Sequence, residues 1–211
     1  MPIDVKNVLT PGHSAVITCE MQRGIIGDLS GGGPLATECA DLRITDAAAN
    51  LVRAARASRV PVVHALTEHR ADGAARLTNT PLLAIQAKSP STIVQGTAGA
   101  ELVPALGPEP TDILCRRIHG LTPFTSTDLD QVLRNIGVTT IVPVGVSLNV
   151  SLLGLCLTGA SLGYRIALPT DAVAGYPREF SQTLLENAFR MLATLTTTDA
   201  VIAAWTSVGP G

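Results

Sequence analysis

Short apolar runs alternate with amphipathic stretches along this chain. Ser14–Cys19 (SAVITC), Val60–Leu66 (VPVVHAL), Asp112–Arg117 (DILCRR), Ile141–Val144 and Arg165–Leu168 are compact, mostly apolar, and rich in β-branched side chains. Each predicts a buried strand. Between them, Leu35–Ser58 places Leu42, Ala49, Val52 and Ala55 at helical spacing. Ser126–Ile136 reads as a helix that Ser126 or Thr127 can cap, with Gly137 just past its end. A further helical pattern starts near Asn149, which reads as its N-cap, and stops at Gly163. Arg178–Thr194 and Asp199–Trp205 complete the helices, with a weak sixth strand around Thr194–Thr197. His69–Gly99 is an irregular crossover rich in Thr, Pro and Gly, with one helical turn expected around Leu82–Ala87.

Strands that alternate with helices imply a mainly parallel sheet covered on both faces. The expected fold is an α/β, three-layer α/β/α sandwich around a roughly six-stranded, Rossmann-like sheet, as one domain over residues 1–211. Thr139–Gly175 is the clearest βαβ unit: an apolar run enters Gly145-Val146-Ser147, and a helix comes next. Open α/β sheets bind small molecules beyond the carboxyl ends of their strands, where helix N-termini and free backbone N–H groups collect. The ends of the first, third and fourth strands should therefore meet at one crevice, to which they deliver Glu20, Arg117 and the turn Ser147–Ser151.

Composition narrows the function. Charged residues make up 15% and apolar ones 46%, and the mean hydropathy is +0.33. No apolar run approaches membrane-spanning length, and no basic segment followed by a hydrophobic stretch opens the chain, so a soluble cytoplasmic protein without a leader is expected. The excess apolar surface points to subunit contacts, hence a homo-oligomer, a dimer or a tetramer. A net charge of −2 and an aromatic content of 3% argue against nucleic-acid binding. Cys19, Cys39, Cys115 and Cys156 occur singly, without metal-ligand spacing, and read as free buried thiols.

The order of these features resembles the isochorismatase-like (cysteine hydrolase) family over nearly the whole length. The residues that carry the resemblance are Glu20-Met21-Gln22 after the first strand, and Cys-Arg-Arg-Ile-His-Gly-Leu-Thr-Pro-Phe ending at Phe124. Thr127–Asp130 (T-x-L-D), Gly145–Ser151 (G-V-S-L-N-V-S) and Asp171–Gly175 (D-A-V-A-G) continue it. The family carries an Asp, a Lys and a Cys as its triad. The resemblance puts Glu20 at the Asp position, Arg117 at the Lys position (Arg116 or Ile118 if the loop alignment slips), and Ser151 at the Cys position, with Leu148 replacing the usual Thr. It implies a hydrolase acting on a small molecule, without a cofactor. The nicotinamidase branch binds a metal through an Asp and two His; here His64 and His69 lack a D-x-H pattern, so no metal is expected. The resemblance also marks Val146–Ser147 as a peptide bond often cis in the family.

The altered triad changes the chemistry. A helix N-terminus and a nearby cation activate a thiol, but a serine hydroxyl needs a general base within hydrogen-bond reach. A carboxylate is a weak base, and a guanidinium stays charged at ordinary pH, so Arg117 cannot shuttle a proton as a Lys can. Isochorismatases of the family cleave a vinyl ether, and members of that branch do without the cysteine. Glu20 then serves as general acid and Arg117 as anchor for a substrate carboxylate. Gln22, His119, Phe124, Val146, Ser147, Leu148 and Asn149 are the expected substrate-binding positions, with Phe124 and Leu148 as walls. Two alternatives stand beside this one: a catalytically silent member that binds a metabolite or a partner, and a serine-based amidase using Ser151.

Overall fold

The computed structural model describes residues 8–207; residues 1–7 and 208–211, the two ends of the expected domain, lie outside it. Six strands, β1 (Ser14–Cys19), β2 (Val62–Thr67), β3 (Ile113–Arg117), β4 (Thr140–Gly145), β5 (Arg165–Pro169) and β6 (Thr194–Thr196), form one sheet in the order β3-β2-β1-β4-β5-β6. Every pairing is parallel. The order reverses direction at β1, which puts the crevice of this sheet at the carboxyl ends of β1 and β4.

Side-chain alternation along each strand divides the core in two. Val16, Val62, Leu66, Val142 and Val144 pack with Leu51, Val52, Ala55 and Trp205 on one face. Ala15, Ile17, Cys19, Val63, Ala65 and Ile141 pack with Leu129, Leu133, Leu155 and Phe189 on the other. The helices are α1 (Pro34–Asp41), α2 (Ile44–Ala57), α3 (Pro81–Gln86), α4 (Leu129–Asn135), α5 (Leu153–Ser161), α6 (Arg178–Leu184), α7 (Arg190–Leu192) and α8 (Thr198–Thr206). Wide π-helical turns lead into α5 (Leu148–Leu152) and join α6 to α7 (Leu185–Phe189).

Several boundaries differ from the sequence expectation for identifiable reasons. The single helix over Leu35–Ser58 is two: Arg43 adopts a left-handed backbone (φ 53°), which redirects the chain so that α2 lays Ala48, Leu51, Val52 and Ala55 on the sheet. Ser126 is likewise left-handed (φ 60°), so α4 begins only at Leu129, with the Thr127 hydroxyl accepting the Leu129 N–H at 3.3 Å. Asn149 is not an N-cap. The helix opens after Ser147, and the Asn149 amide nitrogen instead donates to the Tyr176 carbonyl at 3.4 Å. Strand β2 starts beyond Pro61, which has no N–H to pair.

Asp112 stops short of β3 because its side chain is engaged elsewhere. Its carboxylate accepts from Arg56 Nη2 at 2.6 Å, from the Glu109 N–H at 2.8 Å and from His64 Nε2 at 3.1 Å. The other ring nitrogen of His64 bonds the Thr18 hydroxyl at 2.7 Å, so a polar chain Thr18–His64–Asp112–Arg56 lies buried between β1, β2 and α2. Burial pushes the His64 imidazole below its usual range, against the pull of Asp112. Burial works against ionisation of Asp112, but Arg56, the Glu109 N–H and His64 together hold its carboxyl below the ordinary range. Both depressed groups bind fewer protons folded than unfolded, so both stabilise above their unfolded values and lose that contribution as pH falls. His64 governs the range from about 6.5 downward, and Asp112 the range below about 4. The urea midpoint should therefore fall as pH is lowered from 7 to 5, and His64→Gln should flatten that dependence; an unchanged slope in the variant would assign it to other groups.

Candidate active site

The chain leaves β1 through a tight turn. Glu20 is left-handed (φ 52°), its N–H donates to the Ala65 carbonyl at 2.9 Å, and the Gln22 N–H donates back to the Glu20 carbonyl at 2.9 Å. Gln22 holds this turn in place: its amide nitrogen donates to the Thr67 and Ala100 carbonyls, each at 2.9 Å, and its oxygen accepts the Thr67 N–H at 2.9 Å. With all three bonds made to backbone, Gln22 is fully buried and lies off the cavity. Its side chain ties the turn after β1 to Thr67 and Ala100.

At the end of β3, alternation sends Arg117 toward Glu20 and Arg116 to the opposite face, where Arg116 bonds Glu68. Glu20 Oε1 accepts from Arg117 Nη2 and, at 2.5 Å, from the Ser151 hydroxyl. The Arg117 side chain is 2% exposed and that of Glu20 13%. Arg117 Nε and Nη1 are buried without a hydrogen-bond partner among the described residues, and so is Asn149 Oδ1. At the end of β4, Gly145 sits at φ 106°, where a Cβ would strike the Cys19 carbonyl and Met21; only glycine lets β4 approach β1 closely enough to bring Ser147–Ser151 over Glu20. The Val146–Ser147 peptide is cis.

These groups face a cavity of about 480 Å³ lined by Glu20, Arg117, Ile118, His119, Ser147, Asn149 and Ser151 on the sheet side. Besides Gln22, three positions expected at the site lie elsewhere. Phe124 stacks on Tyr164 with ring centroids 5.9 Å apart and packs against the core under α5. Val146 and Leu148 are buried, one in each core layer, so neither side chain faces the crevice. None of the three lines the cavity.

The opposite wall comes from the crossover after β2, with Ile25 and Leu35 beside it. Residues 70–92 form a flap that carries α3 and presents Leu77, Leu82 and Leu83 to the cavity. Its neck is tied: the His69 N–H donates to the Ile93 carbonyl at 2.9 Å and the Gln95 N–H to the His69 carbonyl at 2.8 Å. Arg76 clasps the far side of α3 through the Gln86 and Ser89 carbonyls. His69 also lines the cavity; its Nδ1 bonds the Ser91 hydroxyl at 2.6 Å, and burial, with Arg76 nearby, lowers its basicity and keeps it neutral near pH 7. Residue types alone do not reveal the apolar flap as a wall. The signal available is length, since so long an irregular crossover in a compact fold usually carries function.

None of the four cysteines lines the cavity. All four are free and buried. Burial pushes the Cys115 and Cys156 thiols up to about 12, and burial together with Glu20 raises that of Cys19 well above its usual value. Chemically, the site offers a carboxylate with one oxygen taken by two donors, a buried guanidinium with unused N–H groups, and a hydroxyl on the carboxylate. Because each member of the ion pair is buried, removing either leaves an uncompensated charge. Glu20→Gln and Arg117→Met should each cost about 3–5 kcal/mol, and the double variant should recover at least about 1 kcal/mol of their sum. Urea denaturation of the four proteins measures this, and strictly additive losses would show the two side chains to be uncoupled.

Known proteins share this fold. A family model described as "Isochorismatase domain" matches residues 14–200. Among solved structures, an isochorismatase family protein from Burkholderia thailandensis is 27% identical with a TM-score of 0.78, covering 94% of this chain and 98% of its own. A cysteine hydrolase from Pseudomonas syringae pv. phaseolicola is 24% identical with a TM-score of 0.73, covering 98% of this chain and 96% of its own. N-carbamoylsarcosine amidase from Thermoplasma acidophilum shares the fold at 21% identity and a TM-score of 0.66, covering 89% and 97%. No curated protein matches the chain.

Proposed function

The chain belongs to the isochorismatase family, and on that premise we propose that it hydrolyses a small carboxylate-bearing molecule, with Glu20 moving the proton and Arg117 holding the carboxylate. The observation that carries this is the pair of unpartnered, buried donors Nε and Nη1 on Arg117, next to Glu20. Buried donors of a charged group left unsatisfied are costly, and a site that keeps them is built to receive an acceptor. A carboxylate entering the cavity can accept from either nitrogen, with the second N–H of Nη2 completing a two-point contact.

A carboxylate held there lies beside Glu20, which bonds the same guanidinium. Glu20 then delivers its proton to the carbon of an enol ether and water adds to the resulting oxocarbenium carbon; one proton of that water returns to the carboxylate, the other passes to the ether oxygen, and the C–O bond breaks to give a ketone and an alcohol. No covalent bond to the protein is needed. Ser147, Asn149 and His119 border the reacting end, while the apolar flap receives the body of the substrate.

A second reading has its own support: the Ser151 hydroxyl donates to Glu20 at 2.5 Å, the arrangement of a nucleophile on its base. Arg117 bonds the same oxygen, so the atom that would take the hydroxyl proton is already engaged. Wild type, Glu20→Gln and Ser151→Ala are to be assayed on a panel of carboxylate-bearing enol ethers and small amides. The expected result is cleavage of an enol ether, a loss of about 10²–10⁴ in kcat for Glu20→Gln with little change in KM, and retained turnover in Ser151→Ala. An acyl-enzyme trapped on Ser151 would establish the amidase instead. Ligands that raise the Tm of wild type without any turnover would make the protein a binding member of the family.

A further inference from the structure

The segment that leaves β2 faces two ways. Thr67 and His69 point into the cavity described above, and Leu66 and Glu68 point to the other side of the sheet. There they line a second cavity of about 460 Å³ beside the edge strand β3, sharing no residue with the first. Its size falls within the range of small-molecule sites. Leu66, Leu102 and Leu114 give it apolar walls, and Arg116 and Glu101 stand at its rim.

The buried charged side chain in its lining is Glu68, 4% exposed. One carboxylate oxygen, Oε1, accepts from Arg116 Nε at 3.1 Å; the other, Oε2, is buried with no hydrogen-bond partner among the described residues. Glu101 is already engaged by Arg23 Nη1 at 2.9 Å, so the unserved acceptor of this cavity is Glu68 Oε2. An unpaired buried acceptor of a charged group costs more than a hydrogen bond is ordinarily worth, and a ligand donor would remove that cost. A charge-assisted donor serves it about twice as well as a neutral one.

We propose that this second cavity is a binding site for a primary ammonium carried on an apolar body, with the ammonium on Glu68 Oε2 and the body against Leu66, Leu102 and Leu114. An ammonium presents donors and no acceptor, which suits a cavity whose unmet need is a donor. The site is separate from Glu20 and Arg117, and its occupancy does not depend on what reaction they perform.

Phenethylammonium is the probe, with 2-phenylethanol as its neutral counterpart and 3-phenylpropionate as its anionic one. Binding to the full chain is followed by calorimetry and by NMR shift mapping. Saturable binding of phenethylammonium at least tenfold tighter than 2-phenylethanol is expected, with no binding of 3-phenylpropionate at this site. Glu68→Gln should abolish the preference for the ammonium, and Glu20→Gln should leave it unchanged. Leu114→Trp, at a position 41% exposed and so tolerant of a larger side chain, should fill the cavity and weaken binding at least tenfold even if Glu68→Gln fails to fold. Absence of saturable binding, an affinity unaffected by Leu114→Trp, or shifts confined to His119 and Ser151 would overturn the proposal.

Discussion

The central parallel pairing of β1 with β4 is the constraint on which the rest of the molecule depends. Ser14 through Cys19 match Thr140 through Gly145 residue for residue, and Val16–Cys19 also match Val62–Ala65 on the other side. Every residue of β1 and β4 is buried. Two strands so enclosed have no freedom of register, because a slip of one residue would exchange the two core layers. The ends of both strands are therefore fixed against each other. Glu20, just past β1, and Ser147, just past β4, inherit that fixed placement. The missing Cβ at Gly145 sets how close the two ends come.

That rigidity allows the site to hold groups that would be unstable elsewhere. A carboxylate at the end of a buried strand needs a cation, and β3 supplies Arg117 two strands away through β2. The guanidinium is not used up by the contact, since two of its nitrogens remain unpaired among the described residues. An ion pair left incomplete inside a close-packed fold is a poor stabilising device and a good receptor for an anion. The buried chain from Thr18 to Arg56 on the opposite face of the same strands is the contrast: there each polar group is matched, and the network only holds structure.

Much of this architecture is legible in the sequence, and the parts that are not share a cause. The six strands, their parallel arrangement and the convergence of Glu20, Arg117 and the Ser147–Ser151 turn can be read from apolar runs and from the rule for strand ends in open sheets. The helix break at Arg43 and the late start at Leu129 depend on left-handed residues that are neither Gly nor Asn, and residue type gives no warning of those. Val146, Leu148 and Phe124 are close to the site along the chain, and that closeness alone predicts a place in it. Which way a side chain points after a turn depends on the backbone of that turn, and here it sends all three into the core. Gln22 shows a related case: a polar residue beside the site whose every bond is spent on backbone. The flap is apolar but irregular, so it lacks the periodicity by which apolar residues announce what they cover.

The flap's tied neck has a consequence for how such a scaffold changes over time. The hydrogen bonds between His69 and the Ile93–Gln95 segment close the loop before it leaves the sheet, so the strands do not register what happens beyond the knot. Insertions, deletions and exchanges of apolar side chains in residues 70–90 can alter the cavity's shape and leave Glu20 and Arg117 where they are. The molecule is thereby divided into a constant framework and an exchangeable wall, and the shape of the cavity can drift while the groups at the strand ends stay in place.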